Sequence, residues 1–166
     1  MSGGVLVAGI GNIFLGDDGF GVEVANRLAR QSLPDGVRVV DFGIRGVHLA
    51  YELLDGYDAA VLVDAVPMGE PPGTLAIIRP DDDGALPVDA ELAPIFDAHS
   101  MSPEIVLATL ASLGGSAHRV YVVGCQPATF EAEMGLSPMV AAAVDAAVEL
   151  CSQLVADIVL PTGKGT

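Results

Sequence analysis

Short apolar runs alternate along the chain with stretches of helical periodicity. "VLVAGI" (5–10), "VRVVDF" (37–42), "YDAAVLVDAV" (57–66), "GTLAIIRP" (73–80) and "RVYVVGC" (119–125) read as strands. Near-continuous apolar strands of this kind are buried on both faces. Between them, 19–31 ("GFGVEVANRLARQ") spaces Val22, Val24, Ala25 and Leu28 as one face of a helix. Residues 46–55 form a short helix. Residues 103–114 form another, stopped by Gly114 and Gly115. Ser137 and Pro138 are an N-cap and N1 pair that opens a long last helix over 137–159. The link before 73–80 is a Pro-Pro-Gly turn, too short for a helical crossover, so that strand is expected to run antiparallel to its neighbour. Residues 81–101 are a loop rich in Asp and Pro.

This order predicts an α/β fold: a single domain with a mainly parallel, twisted five-stranded sheet, one strand antiparallel, and helices on both faces. The domain is expected to span 1–160, with a disordered tail over 161–166. Ligands of such sheets bind beyond the carboxyl ends of the strands, so the loops that follow the strands are where a site belongs.

The loop after the first strand, "GNIFLGDD", spaces Gly11 and Gly16 as a phosphate-binding P-loop does. The Lys and Ser/Thr positions of that motif hold Asp17 and Asp18 instead. A dinucleotide fingerprint fails as well: "GIGNIF" has Phe14 where the third glycine belongs, and two carboxylates would repel a pyrophosphate. The other strand ends add Asp41, Asp64 and Cys125, and the later loop adds Asp97 and His99 in "FDAHSMSP". Two carboxylates with an imidazole suit a divalent transition ion better than Ca²⁺ or Mg²⁺. Asp64 is the most telling, because it interrupts an apolar strand where a bare charge is costly.

Each acid also has a plainer role. Asp17 reads better as a cap of the first helix than as a ligand. Asp18 fits either role equally. Asp41 and Asp64 can accept backbone N–H groups in turns. His48 and His118 fit structural or solvated positions. Cys125 and Cys151 fit small core residues, since no His is placed to form a dyad and two cysteines make no disulfide framework.

Charge narrows the partners. The net charge is −15, which repels nucleic acid and anionic membrane. Hydrophobic residues make up 51% and charged residues 17%, which excludes a disordered chain. No run reaches the roughly 18 apolar residues of a membrane span, and "MVAAAVDAAVEL" is broken by Asp145 and Glu149. The N-terminus lacks the basic region of a signal peptide, so a reduced, cytoplasmic protein is expected, with a monomer as the default.

The segments "GIGNIFLGDDGFG", "DFGIRG", "VLVDAV", "PPGTLAIIRPDDD", "AHSMSP" and "GCQP", in this order, resemble the maturation endopeptidases of nickel–iron hydrogenases over about residues 5 to 150. The resemblance implies an enzyme that cleaves the C-terminal extension from a hydrogenase large-subunit precursor after nickel insertion. It implies a metal-contacting triad of Asp18, Asp64 and His99. The nickel would be supplied by the substrate, with no organic cofactor. Asp41 keeps the acid of the loop after the second strand, while Phe42 departs from the usual D-G-G-[ST]. The general base stays unassigned among Asp18, Asp41 and Asp64. A nickel carrier or assembly chaperone without cleavage is the alternative on the same fold, and a nucleotide-binding enzyme is a second rival.

Overall fold

A computed structural model describes residues 4–80, 103–115 and 119–159. The strands are β1 (Val5–Ile10), β2 (Val37–Gly43), β3 (Ala59–Ala65), β4 (Leu75–Ile78) and β5 (Arg119–Cys125). The helices are α1 (Phe20–Leu28), α2 (Gly46–Leu53), α3 (Pro103–Ser112) and α4 (Pro138–Val159). A 3₁₀ turn, Gly16–Gly19, leads into α1. α1 is therefore shorter than the periodic stretch 19–31, because the turn takes its first residue and the chain leaves the helix at Ala29.

The five strands form one sheet in the order β2-β1-β3-β5-β4. β1 pairs in parallel with β2 and with β3, and β3 pairs in parallel with β5. β4 is antiparallel, as expected, but its partner is β5 and not the preceding strand β3. The Pro-Pro-Gly link therefore steps over the position that β5 fills between them. Both central strands bury every residue.

The two-residue period of the strands sorts their side chains into two cores. Val5, Val7, Val61 and Val63 point to one face, where Phe20, Val24 and Leu28 of α1 and Val144, Cys151 and Val155 of α4 cover them. Leu6, Ala8, Ile10, Ala60 and Leu62 point to the other, under Leu49 and Leu53 of α2 and Val106 and Leu110 of α3. A central strand exposed to neither solvent nor partner must be apolar at both parities, which is why no alternation shows in "VLVAGI".

α4 differs from the sequence expectation in one respect. It is 22 residues long with a mean hydropathy of 1.6 over its most apolar stretch, long and apolar enough by length and composition to cross a membrane. In the fold its Val140, Val144, Val148 and Val155 pack into the core, and Asp145 on another face accepts a hydrogen bond from Arg27 at 2.7 Å.

The close fit of α1 to the sheet depends on small residues. A Cβ on Gly21 would collide with the carbonyl oxygens of Val63 and Ile10, and one on Gly9 would strike the carbonyl of Gly21. Helix backbone thus rests directly on strand backbone, and this draws the 3₁₀ turn over the carboxyl end of β3.

Candidate active site

The site is built where β1, β2 and β3 end. β1 turns at Gly11, whose N–H donates to the carbonyl of Gly43 at 2.9 Å and ties the first loop to the end of β2. Gly11 has φ +139, and a Cβ there would run into the carbonyl of Asp18. The loop therefore folds back until its own acidic residues stand over the strand ends.

Asp18 and Asp64 meet there. Asp18 is 4% and Asp64 2% exposed, two of the three buried charged residues among those described. The Asp18 carboxylate accepts the N–H of Asn12 at 2.8 Å. The first loop thus closes on a carboxylate of its own. Asp64 accepts the N–H of Ala65 at 2.8 Å. Burial, and next the negative charge of Asp18, hold the Asp64 carboxyl well above the ordinary carboxylate range; the Ala65 bond offsets this in part. A cation between the two acids would relieve both costs.

Asp41 sits at the rim. It pairs with Gly9 in the β1–β2 ladder, and the register then slips so that Gly43 pairs with Ile10. Phe42 is the extra residue of this bulge. It is buried at 6% exposure in the α2–α3 core. Arg45 fastens the bulge by donating to the carbonyls of Asp41 at 2.6 Å and Phe42 at 3.1 Å. The departure from D-G-G thus places an aromatic side chain in the core and leaves Asp41 beside open space. Two hollows adjoin it, on either side of Ile13. One of about 230 Å³ is lined by Phe14, Gly43 and Ile44, and one of about 360 Å³ by Glu23, Met134 and Leu136. Asp41 lines both.

His99 and Asp97 lie outside the described residues. Among the described residues no three His, Cys, Asp or Glu side chains gather as a metal-binding group. Of the expected triad, Asp18 and Asp64 are the members that the described residues bring together. His48 is exposed on α2. Cys125 and Cys151 are free and buried, and burial pushes each thiol up to about 12. Neither is poised as a thiolate nucleophile.

Asp17 does not do what its sequence position suggests. Neither the 3₁₀ turn nor α1 has a side-chain cap. The Asp17 carboxylate instead accepts the N–H groups of Ala128, Thr129 and Ser137 and the hydroxyl of Ser137. Gln126 likewise has a role that its sequence position does not signal. Its side-chain oxygen takes the N–H groups of Met68 and Glu70 and holds the chain that leaves β3. Both partnerships join segments distant in sequence, and no local spacing signals them.

Comparison with known proteins identifies the scaffold that carries these residues. A family model described as hydrogenase maturation protease (HycI) matches residues 22–154. The hydrogenase 2 maturation protease of Escherichia coli is 33% identical over 147 residues, covering 87% of this chain and 86% of that protein. The hydrogenase 2 maturation peptidase from a Thaumarchaeota archaeon superposes with a TM-score of 0.68 at 34% identity, over 92% of this chain and 97% of that one. The hydrogenase maturating endopeptidase HybD of Escherichia coli gives a TM-score of 0.72 at 28% identity, over 93% of each chain. The buried acids at the strand ends thus sit on a peptidase scaffold, and the chain belongs to the hydrogenase maturation protease family.

Proposed function

We propose that this peptidase removes the C-terminal extension of a nickel–iron hydrogenase large-subunit precursor after nickel insertion, with the substrate's nickel as the recognition element. One observation carries the reading. Asp18 and Asp64 form a buried like-charged pair whose burial and mutual repulsion favour a cation. His99 supplies the third donor, and α3, which begins at Pro103 shortly after it in sequence, packs on the α2–α3 side of the sheet. By strand parity Asp64 belongs to that same side, with Ala60 and Leu62.

Asp18, Asp64 and His99 would hold the substrate's ion through open coordination positions. Carboxylate and imidazole donors suit nickel, and the large subunit provides the rest of its shell. Bound in this way, the ion places the scissile peptide and polarises its carbonyl or a water as a Lewis acid. Asp41 lines both hollows, where the segment to be cut would lie, and this favours it over buried Asp64 as the general base.

The alternative of a carrier without cleavage does not fit membership of a peptidase family. The cytoplasmic placement and the monomeric state belong to the same proposal. Two free, buried cysteines suit a reducing compartment. The test is a gel-shift assay with nickel-loaded and nickel-free precursor. Cleavage of the loaded form alone supports the reading, and full cleavage of the nickel-free form overturns it in favour of an ordinary peptidase.

A further inference from the structure

Asp17 is 0% exposed and is the one buried acid of the first loop that the proposed metal contacts do not use. Its Oδ2 accepts from Ala128 N at 2.7 Å, Thr129 N at 3.2 Å and Ser137 Oγ at 2.8 Å, and its Oδ1 accepts from Ser137 N at 2.7 Å. Every donor comes from the segment between β5 and the start of α4, 111 to 120 residues further along the chain. The backbone adds two bonds in the same direction. Gly16 N donates to Glu133 O at 2.8 Å, and Asp17 N to Thr129 O at 3.0 Å.

The first loop needs an anchor from elsewhere. It contains Gly11, Gly16 and Gly19, and neither its 3₁₀ turn nor α1 is capped by a side chain. Glycine-rich backbone has many accessible conformations, so local structure alone does not hold Asp18 over β3. Asp17 and Asp18 are consecutive in one turn. Fixing the peptide of Asp17 fixes the Cα of Asp18, and the Asp18 carboxylate then closes the loop on Asn12 N at 2.8 Å. A buried carboxylate with several N–H and O–H donors is a strong, directional tie. The segment it grips also carries Met134 and Leu136, which wall the larger hollow beside Asp41.

The geometry points to Asp17 as a positioning residue for the cleavage reaction: by tying the first loop to the start of α4 it holds Asp18 in place against Asp64. This rests on Asp18 being an acid of the site. Asp17 touches neither the substrate nor its metal; it acts through Asp18.

The experiment uses the full chain with Asp17→Asn, Ser137→Ala and Ser137→Thr. Two quantities are read well below the unfolding temperature: hydrogen exchange of the Asn12 amide, and kcat and KM on nickel-loaded precursor. In Asp17→Asn the Asn12 amide exchanges about tenfold faster or more, while the Leu62 and Val63 amides of β3 keep their protection. Its kcat falls on the order of a hundredfold, as for a misplaced catalytic group, with KM nearly unchanged. Ser137→Ala shows the same changes to a smaller degree, and Ser137→Thr, which keeps the hydroxyl, returns to the parent values.

Parent-like Asn12 exchange, or parent-like kcat per folded molecule, overturns the proposal. So does faster exchange spread evenly over β3, which marks a merely structural residue. If Asp17→Asn does not fold, the Ser137 pair decides: normal Asn12 protection in the Ala variant, or a Thr variant no better than Ala, is the adverse result. If the parent itself fails to cleave, the proposed function is at fault, and the exchange measurement still decides whether Asp17 places Asp18.

Discussion

The carboxyl of Asp64 at the end of β3 is buried within the electrostatic reach of Asp18, and the two acids make each other's charge costly. The folded pKa of Asp64 therefore lies above its unfolded value near 3.8. Between those two values the folded chain holds a proton that the unfolded chain has released, so stability falls as pH rises through the window. Above it, the ionised carboxylate is carried at full cost. Asp64→Asn removes that cost and keeps an acceptor for Ala65 N–H. The variant should melt above the parent at neutral pH, by about 2–4 °C for each kcal/mol relieved. The gap should close as the pH is lowered toward the ordinary carboxylate value. Thermal unfolding followed by circular dichroism across this range checks it, and an Asn variant that melts lower at neutral pH contradicts the buried-repulsion account.

The same substitution should abolish cleavage. His99→Ala and Asp64→Asn are each expected to fold and to leave nickel-loaded precursor uncut in the gel-shift assay. Loss of one metal contact shifts the scissile bond, and a shift of about 1 Å can cost on the order of a hundredfold. Stability and activity therefore move in opposite directions in Asp64→Asn, a pattern that a folding defect cannot produce. Chelator treatment of the peptidase alone, before nickel-loaded precursor is added, should leave the rate unchanged if the ion arrives with the substrate.

Neither thiol should matter to the chemistry. Burial pushes Cys125 and Cys151 up to about 12, so thiolate is scarce at neutral pH. Cys125→Ser and Cys151→Ser should cleave nearly as fast as the parent per folded molecule. Each places a hydroxyl in the α1–α4 core, so a loss of stability of about 1–3 kcal/mol is expected in urea titration. An active-site block by iodoacetamide in the folded parent would point to a cysteine mechanism instead.

Gly21→Ala should be severe for its size. One methyl there meets the carbonyls of Val63 and Ile10, which belong to buried strands and have no room to yield. Overpacking of this kind costs about 1–3 kcal/mol or more. α1 can relieve it only by lifting from the sheet, and that would carry Asp18 away from Asp64. Denaturant unfolding should show the lost stability, and cleavage per folded molecule should fall with it.

The sequence by itself determined the layering of this protein. Apolar runs such as "VLVAGI" and "AAVLVDA" are legible because a strand covered on both faces must be apolar at both parities. The spacing of Val22, Val24, Ala25 and Leu28 marked α1 because all four are buried, Val24 and Leu28 within one core. Asp64 stood out because a charge in a buried strand has to be explained by something beyond packing. Only the tertiary structure decided what Asp17 does, which strand pairs with β4, and that Phe42 lies in a bulge. Each of these rests on groups far apart in the chain: Asp17 on Ser137, β4 on β5, and Phe42 on the β1–β2 register. Local periodicity reports which face a side chain takes, whereas such pairings depend on how the whole sheet is ordered. No pattern within a single segment carries that order.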